Sequence, residues 1–110
     1  MRILFAGDFH THHSEGVSFG NALTELINLC DYSAINYESP VECDIKLKLP
    51  RKSGPRLRQP KKNLFWLKNK GFNCLMLANN HIYDYRINPF IILSRLQISR
   101  TINYRLFGIL

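Results

Sequence analysis

An alternation constrains this chain more than any other feature. Short apolar runs suited to buried strands are separated by stretches with helical spacing, and three of those runs end in side chains able to bind a metal. The first run, Arg2-Ile-Leu-Phe-Ala-Gly7, is closed by glycine and reads as a buried strand. Ala22, Leu23, Leu26, Ile27 and Cys30 then recur at three and four residues, which predicts an amphipathic helix stopping near Asp31. Tyr32 to Tyr37 is the second strand. Pro50, Pro55 and Pro60 break up the next stretch, predicting loop from Ser39 to Pro60 and a helix from about Lys61 to Lys70 capped by Gly71. Phe72 to Ala78 is the third strand. Asn88-Pro89 has the order of an N-cap and first helical residue, with Phe90, Leu93 and Leu96 continuing a helix, and Asn103 to Ile109 offers a weaker fourth strand.

Strands alternating with helices imply β-α-β units, and right-handed crossovers place such strands parallel in one sheet, an α/β class. A chain of 110 residues, 45% apolar and 21% charged, belongs with soluble single domains and not with multidomain machines. Surface scaling allows about two-thirds of the unfolded surface to be buried, enough for a small core. No run approaches the roughly 18 apolar residues of a membrane span, and Met1-Arg2 is followed by too short an apolar stretch for a secretory signal, so the expected location is cytoplasmic. The three cysteines form no Cys-x-x-Cys pair and suit reduced, buried thiols.

In open parallel sheets, ligands bind beyond the carboxyl ends of the strands. Here those ends carry Asp8 and His10, then Asn36 and Glu38, then Asn79, Asn80 and His81. Carboxylate, imidazole and amide oxygen together suit Mn²⁺, Fe²⁺, Zn²⁺ or Mg²⁺. Such ions activate water and stabilise the displaced oxygen in phosphoester hydrolysis. Asp8 is the candidate bridging ligand, joined by His10, Glu38 and Asn80, and His81 is the candidate general acid. Asp84 either orients His81 or caps the next helix. Each residue also has an ordinary reading: Asp8 as a loop cap, His10, His12 and His13 as surface histidines, Asn79 to His81 as a polar turn. Neither a glycine elbow around Ser14, Ser18, Ser33 or Ser39, nor a Walker or Gly-x-Gly-x-x-Gly pattern, is present.

The net charge of +7 is unevenly spread: residues 1–45 hold seven acids against Arg2 alone, and residues 46–70 hold ten bases and no acid. Such a block can hold an anionic substrate, track a phosphate backbone or stay solvated. Lys52 and Arg56 are the candidate substrate-binding cations. Nucleic acid is disfavoured as a partner, because the only aromatics in the block, Phe65 and Trp66, fall inside the expected helix.

Gly7-Asp8 after an N-terminal strand, Asn36-Tyr-Glu38-Ser-Pro40, Lys52-Ser-Gly-Pro55, and Gly71-Phe-Asn-Cys-Leu-Met-Leu-Ala-Asn-Asn-His81 followed by Asp84-Tyr85 resemble the CapA capsule and poly-γ-glutamate synthesis family of calcineurin-like metallophosphoesterases. The match covers about residues 1–85. The resemblance implies a partial metallophosphoesterase-like fold lacking the second half of its β-sandwich, and a bacterial origin. It implies Asp8, Glu38 and Asn80 as ligands of a divalent ion, two ions in full-length relatives, and His81 as the catalytic histidine; His10 fits the superfamily's Asp-x-His. Arg86 stands where the family pattern leads one to expect glycine, and residues 86–110 carry four arginines and no acid. They are expected to be a divergent or frame-disrupted tail forming a helix and a strand, in a truncated copy with weak or no hydrolysis on its own. Competing readings are a basic polyanion-binding module, or a fragment without independent function. A fragment would self-associate through an exposed sheet edge.

Overall fold

The computed structural model describes residues 1–42, 54–85 and 104–107. Strand β1 (Ile3–Phe9) leads through a 3-10 turn, Ser14–Gly16, to helix α1 (Asn21–Asn28). Strand β2 (Tyr32–Tyr37), helix α2 (Lys62–Asn69), and strands β3 (Cys74–Met76) and β4 (Arg105–Phe107) follow. The four strands form one parallel sheet in the order β1-β2-β3-β4. The α/β class and the parallel units expected from the sequence are therefore present, including the fourth strand. The helix expected over Asn88 to Leu96 lies outside the described residues, as does Lys52. Within the expected loop from Ser39 to Pro60, Val41 and Gln59 make one parallel bridge.

Strands added in sequential order by right-handed crossovers put their connecting helices on the same side of the sheet. That side is the core: Ile35, Tyr37, Leu75 and Leu77 from the sheet region pack with Ile27 of α1, Leu64 and Leu67 of α2, and Phe72. Phe9 stacks on Trp66 with ring centroids 5.7 Å apart, and Phe19 meets both Trp66 and Phe72 edge-on. Among the described residues no helix packs on the opposite side. Ile3 is 45% and Phe5 70% exposed there, and with Tyr32, Ala34, Cys74, Met76 and Arg105 they line a concavity of about 370 Å³. The first run is thus buried on one face only, through Leu4 and Ala6, and not on both as its unbroken apolar character suggested.

Helix α1 also differs from its expected stripe. Ile27 is buried and Leu23 packs partly against the core, but Ala22 and Leu26 are exposed. Eight residues beside a two-layer core touch it along one i, i+4 line, and Ala22 and Leu26, a neighbouring line, point away. Helix α2 ends as its sequence indicated. Gly71 has φ +99°, its N–H bonds the Lys68 carbonyl and the Phe72 N–H bonds the Leu67 carbonyl, the pairing of a Schellman cap.

Side-chain amides and carboxylates fix the sheet at its amino end. Asp31 accepts the Arg2 N–H at 2.7 Å, and Asn73 accepts the Ser33 N–H at 2.9 Å while donating to the Asp31 carbonyl. Tyr104, just before β4, donates its hydroxyl to the Leu64 carbonyl and so ties the last strand to α2. Cys30 and Cys74 are free thiols, and burial pushes the Cys74 thiol above its ordinary range. Among the described residues no helix is long and apolar enough to cross a membrane.

Candidate functional site

The carboxyl ends of β1, β2 and β3 meet at one rim, and a bulge determines which side chains reach it. Phe5 pairs with Ala34, but Asp8 pairs with Asn36, so β1 spends three steps where β2 spends two. In a regular ladder Asp8 would stand opposite Tyr37 and share its face. The extra residue turns Asp8 to the Asn36 side and Phe9 to the Tyr37 side, into the core.

From Asp8 a chain of hydrogen bonds runs across the rim. Asn36 donates its amide to Asp8 Oδ1 at 2.5 Å, and Asn79 donates to Asn36 Oδ1 at 3.1 Å and to the Tyr37 carbonyl at 3.0 Å. Asn79 Oδ1 in turn accepts the His81 N–H at 3.1 Å. His81 Nδ1 lies 2.7 Å from Asp84 Oδ2, and the same oxygen accepts the Leu57 N–H at 2.8 Å. With the carboxylate ionised, an acceptor only, Nδ1 would be the donor in this pair. Asp84 is buried and its carboxylate faces His81; the helix it was alternatively expected to cap lies outside the described residues.

The remaining candidates flank this chain. His10 follows β1 directly; it is half-buried, its ring meets His12 edge-on at 5.2 Å between centroids, and its Nε2 is buried without a hydrogen-bond partner. Glu38 follows β2, where its N–H bonds the Phe9 carbonyl at 3.2 Å. Asn80 is exposed in the turn after β3, and Arg56 is exposed. The structure therefore brings Asp8, through Asn36 and Asn79, into one network with His81 and Asp84, and sets His10 and Glu38 at the adjoining strand ends. Among the described residues no three His, Cys, Asp or Glu side chains are grouped so as to hold a metal ion. The donor chemistry still suits a hard or borderline divalent ion: carboxylates, amide oxygens, and an imidazole nitrogen with no partner. An ion here would draw on the amides as well as the acids.

Sequence reasoning named Asn36 and Asn79 as rim residues but gave them no role; they are the connectors. It missed Gln59 and Asn63 altogether. Both are fully buried, and their amides hold the backbone on either side of His10. The available signal was a pair of amides four residues apart where a proline-rich loop becomes a helix.

Residues 2–96 match the family model described as bacterial capsule synthesis protein PGA_cap. The match spans β1 through β3 and every candidate residue on the rim. No curated protein matches the chain at a significant level.

Proposed function

The chain belongs to the bacterial capsule synthesis protein family, and from that premise we propose that it is a metal-dependent phosphoesterase-type protein of capsule or poly-γ-glutamate assembly. The observation that carries this reading is the continuous network from Asp8 at the end of β1 to the His81–Asp84 pair after β3. Asp8, His10, Glu38 and Asn80 would hold a divalent ion at the rim. When bound, such an ion polarises a phosphoryl oxygen and makes water a nucleophile near neutral pH. His81, whose ring is oriented at Nδ1 by Asp84, would act as the general acid toward the leaving oxygen. Arg56, with Lys52, supplies positive charge for an anionic substrate.

Mn²⁺ binding to the full chain, followed by its electron paramagnetic resonance signal, tests the reading, with bis(4-nitrophenyl) phosphate as a generic substrate. Binding of Mn²⁺ that weakens at least about tenfold in Asp8→Asn, with slow Mn²⁺-dependent hydrolysis lost in His81→Ala, is the expected outcome. A chain that binds no Mn²⁺, or binds it equally well after Asp8→Asn, overturns it.

The basic segment alone supports a second reading, a polyanion-binding module, but among its described residues five of the cations are engaged within the fold. Lys62 pairs with Glu15 at 2.8 Å and Arg58 with Glu42 at 3.5 Å. Lys61, Lys68 and Lys70 lie over the rings of Phe65, Tyr104 and Trp66. Trp66 itself packs on Phe9 and Phe19, so it is no free platform for a base. Polyanion affinity that falls steeply with salt and survives Asp8→Asn would favour this second reading.

A further inference from the structure

β1 ends at Phe9, yet the backbone beyond it continues to be paired as if by another strand. The partner is a side chain. Gln59 Nε2 donates to the Phe9 carbonyl at 2.8 Å, and Gln59 Oε1 accepts the Thr11 N–H at 3.3 Å. A strand residue in a parallel ladder makes the same two bonds, to the carbonyl before and the N–H after its neighbour, so the Gln59 carboxamide stands in for a backbone unit beside His10. Asn63 locks it from the first turn of α2: its Nδ2 donates to Gln59 Oε1 at 2.9 Å and to the Thr11 carbonyl at 2.6 Å. The Gln59 backbone is held too, donating to the Pro40 carbonyl and accepting the Glu42 N–H. Both peptide groups flanking His10 are thereby bonded to a single buried side chain, and the next carbonyl to a second.

Fixing the backbone on both sides of a residue fixes where its Cβ points. His10 carries the buried Nε2 that has no hydrogen-bond partner, a nitrogen already removed from water and left unsatisfied. An imidazole on a free loop would swing out to hydrate that nitrogen. We propose that Gln59 and Asn63 are positioning residues that hold His10 at the rim as a nitrogen ligand for a divalent cation. This rests on the metal reading given above and adds to it the pair of amides through which the basic segment builds the site.

Co²⁺ titration of the full chain, read by visible d–d absorption, tests the proposal in a double-mutant cycle. Gln59→Met keeps length and volume but makes neither bond. It should weaken Co²⁺ about tenfold and reduce the band intensity, His10→Ala should weaken it by a similar factor, and the double variant should be no worse than His10→Ala. A purely structural role for Gln59 predicts additive losses instead. Asn63→Leu, which removes only the lock, is the second route if Gln59→Met does not fold, and should show the same non-additivity with His10→Ala. Weakening by His10→Ala with none from Gln59→Met and Asn63→Leu, or additive losses, overturns the positioning role and leaves the metal reading standing. Unchanged Co²⁺ affinity in His10→Ala overturns it also; Asp8→Asn in the same titration then reports whether the metal reading falls with it.

Discussion

Asp84 Oδ2 lies 2.7 Å from His81 Nδ1 and 2.8 Å from the Leu57 N–H, so one buried oxygen joins the turn after β3 to the end of the basic segment. At 2% exposure, the aspartate gives water little access to replace either bond. Asp84→Ala removes the acceptor from both partners and should destabilise the chain by about 2–3 kcal/mol, the range for hydrogen bonds to a buried charged group. Asp84→Asn keeps an oxygen for Leu57 but not the charge, and should cost less. Urea unfolding, compared by midpoint at an unchanged slope, reads the difference. Equal midpoints for wild type and Asp84→Ala would show that this oxygen holds nothing together.

Two glycines share a φ of +99° and differ in what surrounds them. A Cβ on Gly54 meets nothing within 4 Å, whereas one on Gly71 comes within 2.6 Å of Ile27 Cγ2, whose side chain is buried against α2. Gly54→Ala should therefore show backbone strain alone, about 1–2 kcal/mol. Gly71→Ala should lose about 1–3 kcal/mol more, because it also overpacks the contact between α1 and the α2 cap. Ile27→Ala should cost less in the Gly71→Ala background than in wild type, since the smaller side chain relieves the clash.

Much of this architecture is legible in the sequence because it is periodic. Tyr32 to Tyr37 and the apolar run through Met76 announce strands by composition, and Gly71 announces a helix end by position. The bulge between Phe5 and Asp8 is not legible: Ile3 to Ala6 reads as an even run, and nothing in it says that β1 takes one residue more than β2. That extra residue decides whether Asp8 faces Asn36 or the core. The rim could be located from three polar strand ends, but its pairing depends on which amide donates to which oxygen, and spacing does not encode that. Gln59 and Asn63 were hidden for another reason. A polar side chain is read as solvated until the fold shows that its partners are carbonyls 50 and 52 residues away. Leu26 was overread because helical spacing marks an apolar stripe without giving the width of the surface that covers it.

Glu15 in the 3-10 turn meets Lys62 at the start of α2 at 2.8 Å. The Lys62 ammonium, bonding directly to the carboxylate, and then a backbone N–H hold Glu15 down to about 2, against an ordinary 4.5. A depressed carboxylate contributes its stability above the unfolded value and loses it as the pH falls through the folded one, so the contribution is complete above about pH 4.5 and fades toward pH 2. Both side chains are exposed, so water and salt screen the pair and its removal should barely move the unfolding midpoint at neutral pH. A nuclear magnetic resonance titration of the Glu15 side-chain carboxyl should find its midpoint rising toward 4.5 in Lys62→Met and in high salt. No movement in Lys62→Met would assign the depression to the backbone instead.

The face of the sheet opposite the helices presents Met1, Ile3 and Phe5 to solvent at its β1 side. Among the described residues β1 is an outer strand, paired only with β2, so its free backbone edge and its apolar face adjoin. An unpaired edge beside exposed apolar side chains favours association between copies. Sedimentation velocity should show a weight-average mass that rises with concentration in wild type. Phe5→Glu places a charge on that face and should hold the chain monomeric. Its cost to stability should stay within about 0.5 kcal/mol, because a side chain 70% exposed loses little packing when replaced. Phe65→Glu is the control: Phe65 is 40% exposed on α2, across the sheet from Phe5, and its replacement should leave association unchanged. Association that persists equally in Phe5→Glu would assign the contact to the β1 backbone edge, where side-chain charge on the face has less effect than strand pairing.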